Sequence, residues 1–118
     1  MTFQTLLDRL KTGDADFEDV IAYVKDHFNY TPTRFSNGLG ADPVVSEAGQ
    51  NEGSCRLFAL ARLKGLNEAD TVQLFGRFYR EDVLKHPAAT DHANIRRFLR
   101  DGWAGIRFDG TALVPRED

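Results

Sequence analysis

The chain has 118 residues and a mass of 13.3 kDa, enough to bury one hydrophobic core and too little for two, so residues 1–118 are expected to form a single domain. Its net charge of -3 is too small to mark a polyanion-binding protein, and one cysteine, Cys55, excludes an internal disulfide or a Cys-rich metal site and fits a reducing compartment. No apolar run approaches the roughly 20 residues of a membrane-spanning helix. Met1 to Leu10 also lacks the basic flank and apolar block of a secretory signal, so the sequence predicts a soluble, uncleaved chain with no membrane partner.

Phe3, Leu6, Leu7 and Leu10 fall on one stripe of a 3.6-residue helix that stops at Gly13. Asp14 or Asp16 caps a second helix, in which Phe17, Val20, Ile21, Val24 and Phe28 repeat at the same spacing. From Asn29 to Gly53 the periodicity disappears. Pro32, Asn37-Gly38, Gly40, Pro43, Gly49 and Gly53 interrupt the stretch, and it reads as one long loop pinned to the core by Tyr30, Phe35, Val44 and Val45.

Ser54 is expected to cap a third helix running to Lys64, with Gly65 as its stop. Apolar residues from Cys55 to Leu63 nearly encircle it, the pattern of a central helix covered on most sides. Asn67 caps a fourth helix whose Val72, Leu74, Phe75, Phe78 and Tyr79 face inward, and a short helical turn then stops before Pro87. Asp91 opens the last helix, striped by Ile95, Phe98, Leu99 and Trp103. Beyond it, the alternation on either side of Asp109-Gly110 predicts a terminal hairpin. The expected fold is mostly α: about five helices around a central one, one long ordered loop and a short C-terminal β-hairpin.

Asn51-Glu52-Gly53-Ser54-Cys55 places a thiol in the first turn of a helix, where the dipole and unpaired N–H groups favour a thiolate. With His92 and Asn94 or Asp91 it can be written as a Cys-His-Asn or Cys-His-Asp constellation. A cysteine entering so apolar a helix suits the role of a small core residue better than that of a nucleophile, and Asp91-His92 suits a helix cap with a core histidine better than a catalytic pair. His27, His86 and His92 are scattered, without metal-ligand spacing, so no metal or cofactor is expected. Arg77, Arg80, Arg96, Arg97, Arg100 and Arg107 would serve nucleic acid only if clustered. With a pI near 5.6 a solvated face or an acidic protein partner accounts for them, and nucleic acid is not the expected partner.

Five segments taken together carry a resemblance. They are Tyr30-Thr31-Pro32-Thr33-x-Phe35-x-Asn37-Gly38, Gly49-x-Asn51-Glu52-Gly53-Ser54-Cys55, Phe75-Gly76-x-x-Tyr79-Arg80-x-Asp82-Val83-Leu84, Asp91-His92-x-Asn94-Ile95-Arg96 and Gly102-Trp103. In that order, over nearly the whole chain, they resemble the HopJ type III effector family. The resemblance implies a small bacterial protein of unestablished activity, kept in the bacterial cytoplasm or secreted into a host cell by type III secretion.

Two functional readings follow. The first is a monomeric binding module for a protein partner that uses Tyr30, Asn37, Asn51, Glu52, Asp91, His92 and Arg96, on the Asn29–Gly53 loop and the start of the last helix. The second is a hydrolase or transferase with Cys55 as nucleophile, His92 as base and Asn94 beside it. An enzyme needs Cys55 exposed and within hydrogen-bond reach of His92; a binding module tolerates a buried thiol.

Overall fold

The computed structural model describes residues 2–116. Helix α1 (Phe3–Thr12) turns Leu6, Leu7 and Leu10 inward. The Thr2 hydroxyl accepts from the Thr5 N–H at 3.1 Å, and Gly13, in the left-handed region, closes the helix. Helix α2 (Phe17–His27) is capped by Asp16. The Asp16 N–H donates to the Asp19 carboxylate at 2.8 Å, which completes a capping box, and the chain passes straight into β1 (Phe28–Tyr30).

Helix α3 (Glu52–Lys64) is the centre of the molecule. It starts two residues before the expected cap, with Asn51 in the N-cap position, and it buries Cys55, Leu57, Phe58, Ala59, Leu60 and Ala61. Helix α4 (Glu68–Gln73), capped by the Asn67 side chain, is shorter than its apolar pattern suggests. The break lies at Gly76, which takes φ +59°, and the chain resumes as a π-helical segment over Phe78–Val83. The cause is Asp16. One of its carboxylate oxygens accepts from both the Phe17 N–H (2.8 Å) and the Arg77 N–H (2.9 Å), and a Cβ at position 76 would collide with that oxygen. Helix α5 (Ala93–Asp101) buries Asn94, Ile95 and Phe98, and a 3-10 turn (Gly102–Gly105) carries Trp103 back over the core.

Strands overturn the expectation of a mostly α fold: the protein is mixed α/β. The Asn29–Gly53 stretch, read as one loop, contains β2 (Phe35–Asn37) and β3 (Val44–Ser46), and Asn29 and Tyr30 belong to β1. Nor do the described residues form a C-terminal hairpin. Strands β4 (Ile106–Phe108) and β5 (Leu113–Pro115) flank Asp109-Gly110 but join different sheets. In the three-stranded antiparallel sheet β3-β2-β4, Phe35 lies opposite Phe108; in the two-stranded antiparallel sheet β1-β5, Phe28 lies opposite Pro115.

The physical reason lies at the turn. A two-residue hairpin loop of the Asp-Gly kind needs positive φ at both central residues, and neither Asp109 nor Gly110 has it. Instead the Asp109 N–H donates to the Arg34 carbonyl at 3.0 Å, the Asp109 carboxylate pairs with Arg34, and Phe108 stacks on the buried Phe35 with centroids 5.4 Å apart. Three-residue strands are also too short for alternation to register, and their partners lie far away along the chain.

Burial of the Asp16 carboxyl pushes its pKa up, but the Arg77 and Phe17 N–H groups and the Arg77 guanidinium outweigh that and hold it below the ordinary value. A depressed folded-state pKa means the stabilisation is complete above the unfolded value of about 3.9 and is lost as pH falls through the folded one. Chemical denaturation from pH 7 to 2 is expected to show a stability loss that Asp16→Asn flattens. Asp16→Ala should cost about 1–2 kcal/mol at pH 7, the range of a lost N-cap; an unchanged midpoint would contradict the role given to this cap.

Candidate functional site

Two helices begin at the same place. Among the described residues, the two non-glycine positions with left-handed backbone are Asn51 (φ +47°) and His92 (φ +51°), and these are the N-cap residues of α3 and α5. Asn and His are among the residues that tolerate this conformation best. Neither side chain caps its own helix. The Asn51 Nδ2 donates to the Ser46 Oγ on β3 at 2.9 Å, and the His92 Nε2 lies 2.9 Å from the Asp82 Oδ2 on the π-helical segment. The first-turn N–H groups of both helices are therefore left without a capping side chain, and each helix start contributes about half a positive charge, against the Glu52 carboxylate in the first turn of α3 and the Asp82 and Asp91 carboxylates beside the start of α5.

Between these helix starts lies a cleft of about 350 Å³, lined by the N-cap Asn51 with Gly53 and Ser54 of α3, the N-cap His92 with Ala93, Asn94 and Ile95 of α5, and Val44. Phe17, Phe75 and Phe78 form its apolar side. Phe17 and Phe78 meet edge-on at 5.1 Å, and Phe78 lies 5.1 Å from the His92 ring. Gly53 makes room for this wall, because a Cβ there would come within 2.8 Å of the Phe17 ring.

The remaining candidates fall into supporting roles and a second cluster. Asn37, fully buried on β2, donates from Nδ2 to the Asn94 carbonyl (2.8 Å) and the Asn94 Oδ1 (3.1 Å), tying the sheet to the first turn of α5. Arg96 reaches back along α5: it donates to the Asp91 carboxylate at 2.7 Å and to the carbonyls of Asp91, His86 and Asp82. That contact holds the Asp91 carboxyl below the usual carboxylate range. Tyr30, Glu52 and Cys55 group together away from the cleft lining. The Tyr30 hydroxyl donates to Glu52 at 3.2 Å, and the Arg56 guanidinium lies 4.0 Å over the Tyr30 ring.

Cys55 and His92 have different partners. The Cys55 thiol is buried and donates to the Thr33 carbonyl at 3.5 Å; burial pushes its pKa up, although its Tyr30 and Thr33 contacts pull the other way. Burial likewise raises the Tyr30 phenol, with Cys55 and Glu52 adding to the effect. Sequence reasoning thus reached Asn51, His92 and Asn94 in the cleft. It passed over Ser54 as a cap, Phe17 and Phe78 as core, and gave Asp82 no role beyond its place in one of the family-like segments. The contact of Asp82 with His92 exists only in three dimensions, since the π-helical segment carries it back to that ring.

A family model described as HopJ type III effector protein matches residues 3–113. A solved structure described as "Crystal structure of unknown function protein VPA0580" is 42% identical, with a TM-score of 0.87, covering 98% of this chain and 95% of that one. No curated protein matches the chain.

A buried thiol with a raised pKa should resist alkylation. Iodoacetamide at pH 7 is expected to label native Cys55 far more slowly than the unfolded chain, and His92→Ala should leave that rate unchanged. Rapid native labelling that depends on His92 would contradict the geometry.

Proposed function

The chain belongs to the HopJ type III effector protein family, and we propose that it works as a binding module that takes an anionic head on an apolar stem, presented by a partner protein, into the cleft between α3 and α5. The observation that carries this reading is the convergence of two uncapped helix starts on one cavity. Two such ends favour a carboxylate or phosphate through backbone N–H groups and the aligned peptide dipoles. Ser54, Asn51 and Asn94 add polar groups, while Phe17 and Phe78 supply an apolar flank for the stem. With a net charge of -3 the chain supplies no long-range attraction for an anion, so recognition would rest on the short-range helix-start donors.

Against a Cys55-dependent hydrolase or transferase stand the burial of the thiol, its raised pKa and the engagement of His92 with Asp82. Membership of a type III effector family implies secretion by a type III system; the module would be made in the bacterial cytoplasm and meet its partner in a host cell.

Phenyl phosphate and benzoate, each an anionic head on an aromatic stem, serve as probes in a titration followed by the amide resonances of the 15N-labelled chain. Shifts are expected at residues 51–54 and 92–95. Ala93 is exposed at the cleft, so Ala93→Trp should fill it without disturbing the core and weaken binding at least about tenfold. Shifts scattered over surface Lys and Arg residues, or an affinity that Ala93→Trp leaves unchanged, would overturn the proposal.

A further inference from the structure

Three side chains with metal-binding chemistry meet beside the cleft. Asp82 comes from the π-helical segment, and Asp91 and His92 from the residues just before α5; one ligand atom from each lies within 4.8 Å of the others. The His92 Nε2 is 2.9 Å from the Asp82 Oδ2 and 3.8 Å from the Asp91 Oδ2. We infer that Asp82, Asp91 and His92 form a binding site for a first-row divalent cation such as Zn2+ or Mn2+.

The hydrogen-bond count points this way. One imidazole nitrogen offers at most one hydrogen, and at 2.9 Å it serves Asp82, while 3.8 Å to Asp91 is too long for a hydrogen bond. Two carboxylate oxygens thus face a single donor, and with the Asp82 and Asp91 side chains 45% and 55% exposed the acceptor left over is open to water or to a cation. The spacing points the same way. Metal–ligand bonds of 2.0–2.2 Å put neighbouring donor atoms about 3.0–3.5 Å apart, so the 2.9 and 3.8 Å separations need shifts of well under 1 Å, while the widest in the cluster, within 4.8 Å, closes by up to about 1.3 Å through rotation of the half-exposed carboxylates. A mixed set of two carboxylate oxygens and one imidazole nitrogen suits borderline divalent ions, with water filling the other positions.

Support comes from outside the three ligands. Arg96 takes the other Asp91 oxygen at 2.7 Å, leaving Oδ2 directed at His92, and binds the Asp82, His86 and Asp91 carbonyls, fastening the turn that carries two of the ligands. Arg96 and the start of α5 offset part of the two negative charges, which tunes the site toward modest affinity. Because His92 also lines the cleft, a bound cation would place positive charge at its edge. The site does not depend on what the cleft itself binds.

The test uses the metal alone. Mn2+ added to the 15N-labelled chain is expected to broaden the amides of residues 82 and 91–93 first, and Zn2+ calorimetry to give one site per chain. Asp82→Asn and Asp91→Asn should each weaken Zn2+ binding about tenfold or more. His92→Asn should do the same while keeping a residue suited to the left-handed backbone; circular dichroism and a metal-free unfolding curve establish that each variant is folded. His27→Gln, remote from the cluster, should leave affinity unchanged. Broadening spread evenly over exposed carboxylates such as Asp26 and Asp42, or a Zn2+ affinity unaltered in folded Asp82→Asn and His92→Asn, would overturn the site.

Discussion

The ring of Phe58, in the buried middle of α3, packs against Phe98 of α5 at 5.0 Å and against Phe75, Phe35 and Trp103 at 5.5, 6.0 and 6.4 Å. Each partner belongs to a different segment: the last helix, the turn after α4, the central strand of the larger sheet and the 3-10 turn. Aromatic pairs at such separations contribute beyond the area they bury. One fully buried side chain therefore fixes how α3, α5 and the sheet stand to one another.

The cleft is a consequence of that placement. With α3 and α5 held at their middles, their starts come together at Asn51 and His92, and the Asn37–Asn94 bonds lock the first turn of α5 to β2. Asp16 does the corresponding work on the apolar side: it caps α2 and binds the turn at Gly76–Arg77, so Phe17 and Phe78 meet as a wall. Helix starts are usually closed by their own N-cap side chains. Here Asn51 and His92 are committed elsewhere, to Ser46 and Asp82, and the backbone donors are left facing a cavity.

The helices were legible because each carries its signals locally: the Leu6–Leu10 stripe, the Asp16 and Asn67 caps, the stops at Gly13 and Gly65. The apolar circumference of the Cys55–Leu63 stretch marked the central helix for the same reason. Pairings between distant segments were not legible. Phe35 with Phe108 and Phe28 with Pro115 join three-residue strands that leave no periodic trace, and Asp109-Gly110, a strong hairpin signal, here separates two sheets. At the site, Asn51, His92 and Asn94 stood out as polar residues at helix starts. Asp82 did not, because a π-helical turn brings it to His92, while Tyr30, Glu52 and Cys55, adjacent to those signals in sequence, form a cluster of their own.

That α3 and α5 depend on a single aromatic contact set can be measured by native-state hydrogen exchange of the wild-type chain and a Phe58→Leu variant. The amides of Cys55 and Arg96 donate the first intrahelical bonds of the two helices, to the Asn51 and His92 carbonyls at 3.0 and 3.1 Å, and so report on both edges of the cleft. The account predicts that Phe58→Leu accelerates exchange at both amides by similar factors, although only one of them lies on the altered helix. Acceleration at Cys55 with Arg96 unchanged would contradict it.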